Sequence, residues 1–402
     1  MSKKLFYKNP YIKEFTANIN HIIEKKEEFH VELNQTAFFP EGGGQPSDKG
    51  YIDDIPVSHV YEKDNKIYHV LNRLPSKLEN VKCIIDWQTR FDHMQQHLGQ
   101  HILSSAFEKL HDVQTIGFHL GSEYVTIDID KQLSKNDIKK VEYFANQIVF
   151  NDLPVSAIYP SNDELNKLPL RKKPSVTENI RIVKIDDFDF SPCCGTHPNR
   201  TGEVGLIKIR KFENYKGGLR IEFVCGNRAL KDYYLKNEIT NTISSLLSVK
   251  DIEIIEAANK IIEENTKLKK ELKDIKEKLL NFEAVDFYKK SSIINDIRII
   301  KYIFEKRNFN EVKTLSNILS NNPKTIVLFG ISNTDKAQLI YSRSKDLDKI
   351  NISEILKSSL NLIDGKGGGS QFAAQGGGKL SNNINAALNH GYNKIIEILK
   401  SL

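Results

Sequence analysis

Four cysteines stand in 402 residues: Cys83, Cys193, Cys194 and Cys225. They are too few and too irregularly spaced for a disulfide framework, so a reducing compartment is expected. No apolar run of about 18 residues exists to cross a membrane. The opening M-S-K-K-L-F-Y-K-N-P lacks the apolar core of an export signal, so a cytoplasmic protein is expected. Neither sign of charge dominates: 58 Lys and Arg face 52 Asp and Glu, for a net charge of +6. That balance permits a nucleic-acid partner without requiring one. No G-x-S-x-G elbow is present, which argues against a covalent acyl-enzyme. No Glu follows His97, so the H-E-x-x-H protease pattern fails, and Leu380 after Lys379 breaks the P-loop pattern.

Against these absences stand four residues in two pairs. His97 and His101 lie in H-L-G-Q-H, and Cys193 and His197 lie in C-C-G-T-H. Residues four apart share one face of a helix, so His97 and His101 can converge on one ion. One Cys and three His form a tetrahedral set suited to zinc. An ion held by all four is structural; one that exchanges a ligand for water or substrate is catalytic. Both readings stay open, as does a competing His93/His97 register. Cys193 is preferred over Cys194 because only Cys193 precedes His197 by four.

The chain predicts an α+β protein with several domains. Residues 1–85 read as short strands between turns, which favours a small barrel or sandwich. Within them F-F-P-E-G-G-G-Q-P-S-D-K-G carries three consecutive glycines, read as a hairpin turn or a close approach to another segment. Residues 86–240 alternate helices near 90–112 and 135–150 with strands, an α+β pattern. Residues 241–290 read as a long helix with coiled-coil spacing. Its seam runs through Leu247, Ile254, Ala258, Ile261, Asn265, Leu268, Leu272, Ile275, Leu279 and Phe282, with steps of four and three alternating from Ile254, which predicts a parallel homodimer, or else packing on its own domain. Residues 291–402 read as an α/β domain. There, seven of 22 glycines fall in D-G-K-G-G-G-S-Q-F-A-A-Q-G-G-G-K. Lys366, Gly367, Gly368, Gly369 and Lys379 can hold a phosphate backbone if this segment opens a helix; a tight structural loop is the alternative.

The ordered set G-G-G-Q-P-x-D-x-G, H-x-G-x-H, C-x-G-T-H-x-x-x-T-G-x-x-G and G-x-G-G-G resembles the alanyl-tRNA editing proteins of the AlaX type and the editing half of alanyl-tRNA synthetase. The resemblance covers nearly the whole chain. It implies an N-terminal β-barrel at 1–85, a zinc-bearing editing domain at 86–240, and a tRNA-binding C-Ala-like domain at 291–402. It implies hydrolysis of tRNA(Ala) mischarged with serine or glycine, in trans, because the first motif leaves no room before it for an aminoacylation core. The family's zinc ligands fall on His97, His101, Cys193 and His197, since G-Q-H-I-L-S-S-A matches the pattern around the second His. Cys194 stands where the family usually has Gly. Gln45 belongs to the glycine motif that approaches the pocket. Gln100 stands where many synthetases have a Thr that recognises serine. Arg171 and Asp189 are read as pocket residues, with a surface ion pair as the alternative for each. A zinc-stabilised tRNA-binding module without catalysis is the rival reading.

Overall fold

A computed structural model describes residues 2–25, 27–174, 179–334, 336–379 and 381–401. The chain divides into two compact units, Met1–Leu246 and Leu247–Leu402. Among the described residues no helix is long and apolar enough to cross a membrane.

The first unit begins with strands. Glu14–Ala17, Val81–Ile85, Gly50–Ile52 and Ile55–Val57 form one four-stranded sheet. Ile19–Lys25, Glu28–Leu33, Lys66–Leu71 and His59–Lys63 form another. Neither is a closed barrel, in contrast to the expectation for residues 1–85. Gly50–Ile52 and Ile55–Val57 carry three residues each, too few to wrap across to the other sheet. The two open sheets instead share one core, including Val31, Leu33, Phe38, Ile52, Val60 and Val81. The tight turn at Asp64–Asn65 has positive φ at both positions, as a two-residue hairpin with right-handed twist requires. Asp48, from the glycine-rich segment, is fully buried against Arg90 at the start of the next helix. Arg90 Nε donates to both Asp48 oxygens at 2.9 Å. Phe39 N donates to the same carboxylate at 2.6 Å, so this buried charge pair is also hydrogen-bonded.

That helix, Trp87–His111, is capped by Asp86, whose side chain accepts from Thr89 N. Every residue from His93 to Phe107 is buried, so the helix is an element of the core. It packs with the helix Lys135–Phe150 against an antiparallel sheet. The strand order of that sheet is Thr115–Leu120, Val125–Ile129, Gly218–Cys225, Ile207–Tyr215. A three-stranded sheet follows from Val155–Ile158, Ile182–Ile185 and Asp189–Pro192. Its last strand ends immediately before Cys193.

The second unit opens with the helix Ile254–Lys290. Leu280 and Ala284 bury its C-terminal end against Val327, Phe329 and Ile331 of the strand Thr325–Ser332. The expected seam points elsewhere: Leu268, Leu272, Ile275, Leu279 and Phe282 are all exposed. Six strands form one sheet, with the helix Phe309–Ser320 in the core on one face. The helices Ile352–Leu360 and Ile384–Ser401 lie in the core of the other. The alternation along Thr325–Ser332 explains this, because Ile326 and Leu328 enter one core while Val327 and Phe329 enter the other.

The glycine-rich segment does not open a helix. Gly365–Gly369 is an edge strand of the sheet and Ala373–Gly378 is the strand next to it, the two paired as a hairpin. A Cβ on Gly376 would lie 2.5 Å from Leu360, and one on Gly367 would lie 2.4 Å from Gln375 O and 2.9 Å from Leu360. Glycine here lets the helix Ile352–Leu360 settle on the hairpin. A Cβ on Gly368 meets nothing within 4 Å, so that face of the hairpin is open.

Candidate metal centre

The buried helix carries His97 and His101 one turn apart, and the loop after Asp189–Pro192 carries Cys193 and His197. Each offers one ligand atom, and all four atoms lie within 4.8 Å of one another. The ring centroids of His97 and His101 are 5.3 Å apart, and His197 lies 4.7 and 5.0 Å from them. Cys193 Sγ sits 3.3 Å from His97 Nε2 and 3.6 Å from His197 Nε2. A tetrahedral ion with bonds of about 2.0–2.3 Å places its ligands at such separations. His93 is outside the cluster and lines a different cavity, with Asp92 and Arg228. The register His97/His101 is therefore the one that converges.

The surroundings set the protonation of this cluster. Asp189 Oδ2 lies 3.1 Å from His101 Nδ1, and a carboxylate there can only accept. In the neutral ring the lone pair of His101 is thus on Nε2, which is buried without a hydrogen-bond partner. An orphaned buried nitrogen facing a thiol is what a metal would satisfy. Arg171 Nε donates to Asp189 Oδ1 at 2.7 Å, and Ser191 Oγ donates to the same carboxylate. Burial disfavours a charge on Asp189, but the His101 hydrogen bond and Arg171 hold its pKa down at about 2. Burial likewise opposes charge on Cys193, yet His97, His197 and His101 around it hold the thiol well below its ordinary range. Burial lowers His197 to about 3, while the neighbouring Cys193 and Asp189 overcome burial at His101 and raise it to about 9. A thiolate-forming Cys beside three imidazoles is the donor set a zinc-type ion takes, and the ion would displace the proton that His101 otherwise holds beside Cys193.

The cluster forms part of the wall of a cavity of 530 Å³. Gln100, Arg171, Thr115, Ile116 and Cys194 line it as well. Gln100 Nε2 donates to Ser104 Oγ at 2.8 Å, and Thr115 Oγ1 donates to the same oxygen at 2.8 Å. Of the residues read as pocket residues, Gln100, Arg171 and Asp189 gather at the cluster. Asp189 does so behind His101, and Gln45 lies behind His97, hydrogen-bonded to it. Lys366, Gly367, Gly368, Gly369 and Lys379 belong to the other unit.

Several residues at the site escaped sequence reasoning. Phe118 stacks on His97 with centroids 5.3 Å apart. Arg181 donates through Nη1 to the carbonyls of Cys193 and Gly195, at 2.8 and 3.0 Å, and so braces the ligand loop. Gly195 has no room for a side chain, because a Cβ there would meet His97 at 2.2 Å. Gly195 and Thr196 lay inside the C-C-G-T-H motif and were legible as loop residues; nothing in the sequence marked Phe118 or Arg181.

Comparison with known proteins follows the same division. Residues 180–222 match the threonyl and alanyl tRNA synthetase second additional domain, and residues 298–397 match the DHHA1 domain. The chain is 29% identical over 404 residues to an alanine–tRNA ligase of Methanobrevibacter smithii, covering 96% of this chain and 45% of the ligase. It thus spans less than half of that larger enzyme. It is 32% identical over 395 residues to the alanyl-tRNA editing protein AlaX-L of Pyrococcus horikoshii, covering 94% of each chain. With that near full-length match, this chain belongs to the family of alanyl-tRNA editing proteins.

Proposed function

We propose that the protein hydrolyses, in trans, the ester that joins a wrong amino acid to tRNA(Ala), serine first and glycine second. The observation that carries this reading is a Cys/His₃ cluster beside a cavity in a chain of the editing family. Zinc is the ion that His97, His101, Cys193 and His197 suit, and when bound it supplies Lewis acidity toward the ester carbonyl. Editing is needed because a pocket for alanine cannot exclude smaller glycine or firmly reject a serine hydroxyl.

The chain's own residues divide the remaining work. The Gln100 amide, with its NH₂ turned to Ser104, leaves its carbonyl for a donor in the cavity. A seryl hydroxyl supplies that donor, whereas an alanyl methyl leaves a buried acceptor unpaired. Arg171 and Asp189 hold His101 in place. In the second unit, Lys366, Lys379 and the open face at Gly368 contact the tRNA backbone. Residues 86–240 act as the deacylase domain and 291–402 as the tRNA-binding domain, in the cytoplasm where charged tRNA is used.

One observation favours a second reading. Four protein ligands leave no open position, which is the pattern of structural zinc. On that reading the protein binds tRNA without hydrolysing it. Deacylation of Ser-, Gly- and Ala-tRNA(Ala) by the purified chain separates the two. Release of serine but not alanine is expected; tRNA binding with no release of any amino acid would leave only the second.

A further inference from the structure

Gln45 is 1% exposed and does not line the cavity, although Gly43 and Gly44 beside it do. Its amide is pinned from both ends. Thr196 N donates to Gln45 Oε1 at 3.1 Å, and Gln45 Nε2 donates to Thr196 Oγ1 at 2.9 Å. A backbone N–H can only donate, so it is the carbonyl oxygen that faces it. That same oxygen lies 2.9 Å from His97 Nδ1. His97 Nδ1 must therefore carry the proton, and the lone pair of the ring sits on Nε2, which faces Cys193 Sγ at 3.3 Å.

We infer that Gln45 is a positioning residue for the metal: it fixes His97 as the Nδ1–H tautomer and aims Nε2 at the ion. The glycine-rich segment of the N-terminal sheets thus completes the metal site and does not touch the substrate through Gln45. Phe118 and Gly195 confine the His97 ring on its other sides, but neither offers an acceptor that selects a tautomer. His101 receives the same service from Asp189, a charged acceptor whose charge Arg171 offsets. For His97 the acceptor is a neutral amide held by Thr196. Outer hydrogen bonds of this kind orient the ligand ring and raise its basicity. This inference rests on the metal assignment above, but not on the reaction.

The test uses the full chain and measures metal binding directly. Zn²⁺ affinity is read by chelator competition, Co²⁺ by its ligand-field spectrum, and the His97 tautomer by ¹⁵N shifts of the imidazole. Gln45→Leu removes the acceptor and should weaken Zn²⁺ binding by about 10- to 100-fold, the range for lost outer-shell partners. Gln45→Glu keeps an acceptor at His97 and should restore wild-type affinity or exceed it. Thr196→Val removes the acceptor at Gln45 Nε2 but keeps the backbone N–H that fixes Oε1, so it should give a smaller loss with the Nδ1–H signal kept. Should Gln45→Leu fail to fold, Gln45→Met, which keeps the side-chain length without the amide, takes its place. Unchanged affinity with a retained Nδ1–H signal in zinc-free Gln45→Leu, or in Gln45→Met where that is the variant available, would overturn the inference. So would failure of Gln45→Glu to hold the metal. A chain that binds zinc by this rule yet deacylates nothing would count against the proposed function alone.

Discussion

Two neighbouring thiols differ sharply in their surroundings. Cys193 is ringed by three imidazoles, while Cys194 is exposed at the cavity wall. Cys193→Ala should therefore abolish stoichiometric zinc, and activity with it, whereas Cys194→Ala should keep both. Elemental analysis of the two purified variants decides, and full zinc in the Cys193 variant would sink the assignment. A second residue, His69, makes a prediction about pH. It is fully buried between Thr36 and Val31 O, and burial lowers its pKa from 6.5 to about 4. Below pH 6.5 the unfolded chain takes up a proton there that the folded chain refuses. Its contribution to stability is therefore fully present above 6.5 and is lost as pH falls from 6.5 through 4. The loss amounts to about 3 kcal/mol at most. Unfolding titrations between pH 7 and 4 should show a shallower decline for His69→Gln than for the wild type. Equal slopes would place the acid sensitivity elsewhere.

Among the elements, the helix Ile254–Lys290 has two apolar faces and uses one within its own unit. On the unused face, Glu264 would stand across from Lys269, Glu271 from Lys276, and Lys278 from Glu283 in a parallel pair of such helices. These are the flanking positions whose opposite charges favour parallel pairing. Lys276 and Glu283 already pair with Glu311 and Arg307, so Glu264 with Lys269 is the freer couple. We expect a parallel homodimer that Leu268→Glu with Leu272→Glu dissociates. A wild-type monomer by light scattering at micromolar concentration would refute it. The glycine hairpin gives another contrast. Gly367→Val should destabilise the second unit by roughly 1–3 kcal/mol through overpacking against Gln375 and Leu360. Gly368→Val should leave stability nearly unchanged and weaken tRNA binding. Thermal melts and tRNA titrations of the two variants check both halves. This hairpin also shows where sequence reasoning stopped. Glycine runs carry no alternating pattern and weaken strands, so G-K-G-G-G reads as the opening of a helix or a tight loop, and only packing against Leu360 explains it as a strand. The helix Lys135–Phe150 was legible because Ile138, Val141, Ala145, Ile148 and Val149 repeat on one face and are buried. The ligand set was legible from two i, i+4 spacings. What lies behind it was not: Gln45 meets Thr196 across 151 positions, and no local pattern reports such a contact.

At the scale of the whole molecule, each of the two compact units has its own core, which suggests a division of labour. If the first unit carries the chemistry and the second grips tRNA, removing residues 247–402 should raise the half-saturating concentration of Ser-tRNA(Ala). A tenfold rise corresponds to about 1.4 kcal/mol of lost binding. The saturated rate should change less, because binding energy shared by ground and transition states affects affinity before turnover. Steady-state kinetics of the two proteins check this, and an unchanged half-saturation would give the second unit another task. The metal cluster has a consequence for how the protein comes into being. His97 and Cys193 lie 96 positions apart. At about 5–20 residues per second, the ribosome releases them about 5–20 s apart. Throughout that interval a nascent chain carries only two of the four ligands, His97 and His101, and an incomplete fold around them. Only after residue 197 has emerged can the four side chains meet, and the Gln45 amide must by then have waited longest of all. The centre is therefore withheld until the first unit is nearly whole, and a chain terminated before residue 197 cannot assemble it.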